Sequence, residues 1–116
     1  MTWSIEYHKA DFLDELLDSL PSAWQGQVVA EAMDALRTRG LELLKTNMMK
    51  NLGGGLFELR IRRSPDLLLR VFLTMIHPRR LILLSAYNKQ RDPSDLRQRR
   101  EIRKARNLIE EIQGRK

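Results

Sequence analysis

Residues 56–88, LFELRIRRSPDLLLRVFLTMIHPRRLILLSAYN, contain three apolar runs divided by two turn signals. In the first run Phe57, Leu59 and Ile61 alternate with Glu58, Arg60 and Arg62. That period of two belongs to a strand with one buried face. Ser64, Pro65 and Asp66 make the first turn, since proline brings a preset φ and Ser and Asp bond locally to the backbone. Leu67 to Ile76 is longer and more apolar, with one charge, Arg70, in its middle. His77, Pro78, Arg79 and Arg80 turn the chain again, and Leu81 to Tyr87 is the third run. Three strands joined by short turns predict an antiparallel meander.

Upstream, the glycines 53–55 form a run that could cradle a phosphate, but no Gly-Lys-Ser/Thr follows and the next residues read as strand. The P-loop reading fails, and the run is expected to be a flexible lead-in. Leu41 to Asn51 either extends a helix or forms a loop, with Met48 and Met49 as core filler. Before it, Ser22 and Gln25 have capping-box spacing, Trp24, Val28, Val29, Ala32, Met33 and Leu36 make an apolar stripe, and Gly40 suits the position just past the helix end. Phe12, Leu13, Leu16, Leu17 and Leu20 form an earlier stripe that Pro21 stops. Trp3, Ile5 and Tyr7 alternate with Ser4 and Glu6, as in a short strand at a sheet edge.

Downstream, Asp92 and Pro93 suit the N-cap and first position of a last helix. Its apolar stripe is Ile102, Ala105, Ile109 and Ile112, with Arg99, Arg103 and Arg106 on a neighbouring face. The expected fold is a single α+β domain over residues 1–116, with two N-terminal helices packed on one face of an antiparallel sheet and a C-terminal helix.

Composition narrows the function. A chain of 116 residues supports one hydrophobic core. It has no cysteine, so disulfides and thiolate metal sites are excluded. Its two histidines, His8 and His77, are far apart and lack a second ligand at helical or hairpin spacing, so neither a zinc site nor any other cofactor is expected. No apolar stretch is long enough to span a bilayer, and the N-terminus has no basic region followed by an apolar run. A cytoplasmic protein without membrane contact is expected.

Charge is divided unequally along the chain. Residues 1–50 carry −3, residues 51–78 carry +2 and residues 79–116 carry +7, within a total of +6. A basic C-terminal part points to a polyanion, because phosphate neutralisation supplies most nucleic-acid affinity. A solvated arginine-rich helix accounts for the charge equally well.

Arg70 is the sharpest local feature, since a charge in the middle of an apolar strand must be paired or must open onto a cleft. Arg60 lies on the polar face of the preceding strand, where antiparallel pairing brings the two guanidinium groups into one patch. Like charges so placed need an anion or Glu58 between them. Sequence alone favours a structural role, an Arg–Glu ion pair across the strands.

Gly55-Leu56-Phe57-Glu58-Leu59-Arg60-Ile61, then Arg70-Val71-Phe72, then Ile82 to Lys89, closely resemble the phage-derived branch of the RelE/HigB-like addiction-module toxins. Leu17 to Pro21 resemble the end of that branch's first helix, and Glu101, Ile102 and Ala105 its last helix. The departures are Gln90 for a second lysine, Ser85-Ala86 for a His-Gly pair, Tyr87 as the aromatic and Leu69 before Arg70. The resemblance implies a RelE-like fold, ribosome-associated cleavage of mRNA, and a helix-turn-helix antitoxin as partner. It also implies a site containing Arg60, Arg70 and Lys89.

Metal-free RNA cleavage, in which the 2′-hydroxyl attacks its own phosphate, needs a base, an acid and stabilisation of developing charge. Arg60 and Arg70 suit the phosphorane, having fixed donors and permanent charge. Lys89 serves as base only where burial or neighbouring arginines favour its neutral form. Tyr87 could donate a proton, stack on a base or be a core aromatic. Glu58 could act as base or orient Arg60, and orientation is favoured. Arg62, Arg99, Arg100, Arg103 and Arg106 are the candidates for holding RNA backbone. Three classes stay open: an mRNA-cleaving endoribonuclease toxin, a toxin of the gyrase-poisoning branch, and a non-enzymatic module that binds nucleic acid or antitoxin.

Overall fold

The computed structural model describes residues 2–8, 16, 18, 25–64, 67–76 and 79–114. Strand β1 is Ser4–Tyr7, helix α1 Gln25–Arg39, β2 Met49–Gly53, β3 Leu56–Ser64, β4 Leu67–Ile76, β5 Arg80–Asn88 and helix α2 Asp95–Gln113. A short 3-10 helix, Gly40–Lys45, follows α1. The protein is α+β, with a five-stranded sheet in the order β1-β5-β4-β3-β2.

The meander β3-β4-β5 is antiparallel as expected, and β1 lies at an edge. Four expectations need correction. The last helix is capped by Ser94, whose hydroxyl accepts from the Arg97 N–H at 3.1 Å, and not by Asp92 with Pro93 in the first turn. The sheet is mixed rather than antiparallel, because β1 runs parallel to β5, pairing Ser4 with Arg80 and Tyr7 with Leu83. The segment left open as helix or loop contains β2, paired antiparallel to β3 from Met49–Leu59 onward. The glycine run is a tight hairpin turn rather than a flexible lead-in, with Gly53, Gly54 and Gly55 all at positive φ. Of the two expected N-terminal helices, the second is α1. The first lies outside the described residues except for Leu16 and Asp18, both helical, as does the Ser22 cap.

Gly40 ends α1 at φ 51°, where a Cβ would also overlap the Trp3 indole. Glycine is therefore needed there twice over.

Each described helix covers its own face of the sheet. Val28, Ala32, Met33 and Leu36 of α1 pack on Leu59, Ile61, Leu69, Val71, Leu73, Leu81 and Leu83. Ala105, Leu108 and Ile109 of α2 pack on Leu56, Phe72, Ile82 and Leu84 from the other side. Those two sets alternate along the strands, as the pleat requires. No helix among the described residues is long and apolar enough to cross a membrane.

Candidate active site

On the α2 side of the sheet the side chains change from apolar to charged partway across. In β3 the residues with that parity are Glu58, Arg60 and Arg62, and in β4 they are Leu68, Arg70 and Phe72. Arg60 stands directly opposite Arg70, Glu58 opposite Phe72 and Arg62 opposite Leu68. Register alone therefore brings the two expected arginines side by side.

A shift of register between Phe72 and Leu73 of β4 completes the group. Leu73 pairs with Leu83 but Phe72 pairs with Ser85, so Leu84 is an extra residue, a β-bulge. Past the bulge, parity in β5 is reversed. Tyr87 becomes the partner of Arg70, and Ala86 packs with the α1 side.

Glu58 is 2% exposed and lies under both arginines, 3.3 Å from Arg70 Nη1 and 3.8 Å from Arg60 Nε. A carboxylate so buried stays charged only when paired, and here it offsets the repulsion between two guanidinium groups. Arg70 is 9% exposed. The Arg60 side chain is 36% exposed and its Nη2 donates to the carbonyl of Asn47 at 3.2 Å. The buried Nε atoms of both arginines find no hydrogen-bond partner among the described residues.

Above these groups Asn47, Arg60, Arg62, Leu68 and Arg70 line an open depression of about 450 Å³. With its amide oxygen turned to the guanidinium, Gln90 accepts from Arg62 Nη1 and Nη2 at 3.1 and 3.2 Å. Lys89 follows β5 at the same end, its backbone N–H donating to the carbonyl of Leu68 at 2.8 Å. Lys89 itself is half-buried.

Tyr87 is 1% exposed, and its hydroxyl also finds no hydrogen-bond partner among the described residues. Stacking on an RNA base is closed to so buried a ring. Burial pushes its phenol above the ordinary tyrosine range; Arg70 and Arg97 pull it back, while Glu58 and Glu101 push it further up. The ring stacks on Phe72 at 6.3 Å between centroids, and the Arg97 guanidinium lies 5.1 Å from its centroid. Sequence reading missed Asn47 and Arg97, since neither position carries a pattern that depends on its own strand or helix.

The basic helix residues divide in two. Arg99, Arg100 and Arg103 are exposed along α2. Arg106 is instead bound to the β2-β3 hairpin, donating to the carbonyls of Leu52 and Gly53 at 3.1 Å each. It fastens α2 to the sheet.

Fold and site together define a small α+β protein that presents a cationic depression on an open part of its sheet. Residues 15–110 match the family described as phage-derived protein Gp49-like (DUF891), and the chain belongs to that family, one within the RelE/ParE-like toxin superfamily. No curated protein and no solved structure matches it. Membership is compatible with a toxin of a toxin-antitoxin pair.

Proposed function

We propose that this chain is the toxin of a toxin-antitoxin pair and cuts mRNA at the ribosome, without a metal ion, in the depression around Arg60 and Arg70. The observation that carries the reading is the charge of that depression: three guanidinium groups, from Arg60, Arg62 and Arg70, line it, and the buried carboxylate of Glu58 pairs with Arg60 and Arg70. Such an excess of fixed positive charge suits a phosphodiester whose charge grows in the transition state.

In this reading the RNA 2′-oxygen forms a bond to phosphorus while the bond to the 5′-oxygen breaks. One proton leaves the 2′-hydroxyl for the base, and solvent water supplies another to the departing 5′-oxygen in this open depression. Arg60 and Arg70 donate to the non-bridging oxygens. Lys89, at the end of β5 beside Leu68, is the proposed base. Glu58 holds the arginines and is too deeply placed to reach substrate, so it orients rather than abstracts. Tyr87 keeps its proton and walls Arg70. Exposed Arg99, Arg100 and Arg103 hold RNA backbone, whereas Arg106 is already engaged. The neutralising partner is proposed to be a helix-turn-helix antitoxin.

One observation favours a second reading. The Arg70–Glu58 pair is buried and would exist without any substrate, as in a non-enzymatic module. Expression without an antitoxin separates the two. Growth arrest with shortened transcripts is the expected result. Arrest with intact transcripts and gyrase-linked DNA breaks would move the chain to the gyrase-poisoning branch, and no effect on growth would favour the non-enzymatic module.

A further inference from the structure

Tyr87 stands between two ion pairs. On one side is Arg70 with Glu58, at 3.3 Å. On the other is Arg97 with Glu101, at 2.9 Å, where Arg97 Nη1 also lies 3.5 Å from Asp92 Oδ2. Glu101 is 8% exposed and its Oε1 has no hydrogen-bond partner among the described residues. Arg97 lines no part of the depression, yet its guanidinium lies over the ring that is Arg70's cross-strand neighbour.

The linkage is mechanical. Asp92 and Glu101 fix the Arg97 guanidinium at the first turns of α2. Arg97 and Phe72 fix the Tyr87 ring. Tyr87 bounds the side of Arg70 away from Arg60, and among the described residues the Arg70 guanidinium hydrogen-bonds to Glu58. Arg70 thus has one anchor and one wall, and the wall, Tyr87 of β5, is backed by α2 through Arg97. Ser85 Oγ, donating to the carbonyl of Glu101 at 3.4 Å, ties the same helical turn to β5 on the other side of Tyr87.

We propose that Arg97, held by Glu101, is a positioning residue: acting through the Tyr87 ring, it sets the place of the Arg70 guanidinium in the depression. The proposal rests on the reading of that depression as the cleavage site. Arg97 touches neither RNA nor the reacting atoms. Its effect falls on the geometry of the transition state and leaves ground-state binding unchanged.

The test uses the full chain with single-turnover cleavage of ribosome-bound mRNA, and separately the affinity for a 2′-deoxy oligonucleotide that cannot be cut. Arg97→Met keeps an aliphatic cover on Tyr87 while removing the charge, and should slow cleavage about tenfold with oligonucleotide affinity held within about twofold. Arg97→Lys restores the charge opposite Glu101 and should recover part of the rate. Glu101→Gln, which leaves the Tyr87 ring and Arg97 stem in place, should slow cleavage in the same direction should Arg97→Met fail to fold. Arg70→Met runs beside them. If Arg70→Met is inactive while Arg97→Met and Glu101→Gln cut at the wild-type rate, Arg97 positions nothing. Equal loss of affinity and rate in Arg97→Met would make it an RNA contact and overturn the proposal. An Arg70→Met protein that cuts normally removes the cleavage site itself, and the proposal with it.

Discussion

The two faces of β3-β4-β5 are made by the same three strands and differ only in the parity of the residues that form them. Under α1 lie Leu59, Ile61, Leu69, Val71, Leu73, Leu81 and Leu83, each no more than 2% exposed. The opposite face begins the same way beneath α2 and then becomes Glu58, Arg60, Arg62, Arg70 and Tyr87. No described residue of α2 lines the depression there. Hydrophobic burial on one side holds the strands in register, so the other side can keep like charges together at a cost the domain tolerates.

The largest effect should come from the apolar face. Leu73→Ala or Leu83→Ala removes a fully buried side chain and should lower unfolding stability by about 3 kcal/mol, read from urea denaturation. A loss under about 1 kcal/mol at both positions would mean the α1 face does not carry the fold.

On the charged face, Glu58→Gln strands Arg70 and should destabilise by about 3 kcal/mol, whereas Glu58→Gln with Arg70→Met should cost less than the two single changes added. Additive costs in that cycle would show that the pair does not act as a unit.

Tyr87→Phe should have a smaller and pH-dependent effect. It deletes a buried hydroxyl that has no partner among the described residues, so its Tm near neutral pH should equal or exceed wild type. The folded phenol titrates above its ordinary value, so the stability that the neutral form contributes is complete below about pH 10 and is lost as pH rises from there through the folded value. Tyr87→Phe should lack that alkaline loss. Parallel melting curves for both proteins would remove Tyr87 from the buried cluster.

How far the sequence disclosed this arrangement depends on whether each feature is local. Alternation in residues 56–62 placed Glu58, Arg60 and Arg62 on one face, and the turns at 64–66 and 77–80 made the meander, so Arg60 and Arg70 were legible as neighbours. Gly40 was legible too, because a helix end has a local residue preference. Strand β2 was not, since Lys50, Asn51 and Gly53 are poor strand formers and the strand exists by pairing with β3. Nor could the stripe on α2 say which face it covers. The bulge at Leu84, which brings Tyr87 to Arg70, has no sequence mark at all. Arg97 reads as one more helix arginine until the fold lays it over Tyr87.

The smallest expected effect separates the helix arginines. Replacing Arg99, Arg100 and Arg103 with Gln should leave the melt unchanged and flatten the salt dependence of RNA binding by about one released counterion for each phosphate left unneutralised. Arg106→Gln should instead lower Tm and leave the salt slope alone, because Arg106 is bound to the hairpin carbonyls. A salt slope that falls with Arg106→Gln as much as with the other three would erase that division.

The contrast between a structural face and a chemical one is tested most directly at Arg70, the residue that belongs to both. Purified wild type, Arg70→Lys and Arg70→Met should be melted and assayed together for cleavage of ribosome-bound mRNA. Lysine keeps the charge opposite Glu58 but not the planar fork, so Arg70→Lys should melt near wild type and cut about a hundredfold more slowly. An Arg70→Lys protein that cuts at the wild-type rate, beside an Arg70→Met protein that only unfolds early, would contradict the account and make Arg70 a structural partner of Glu58.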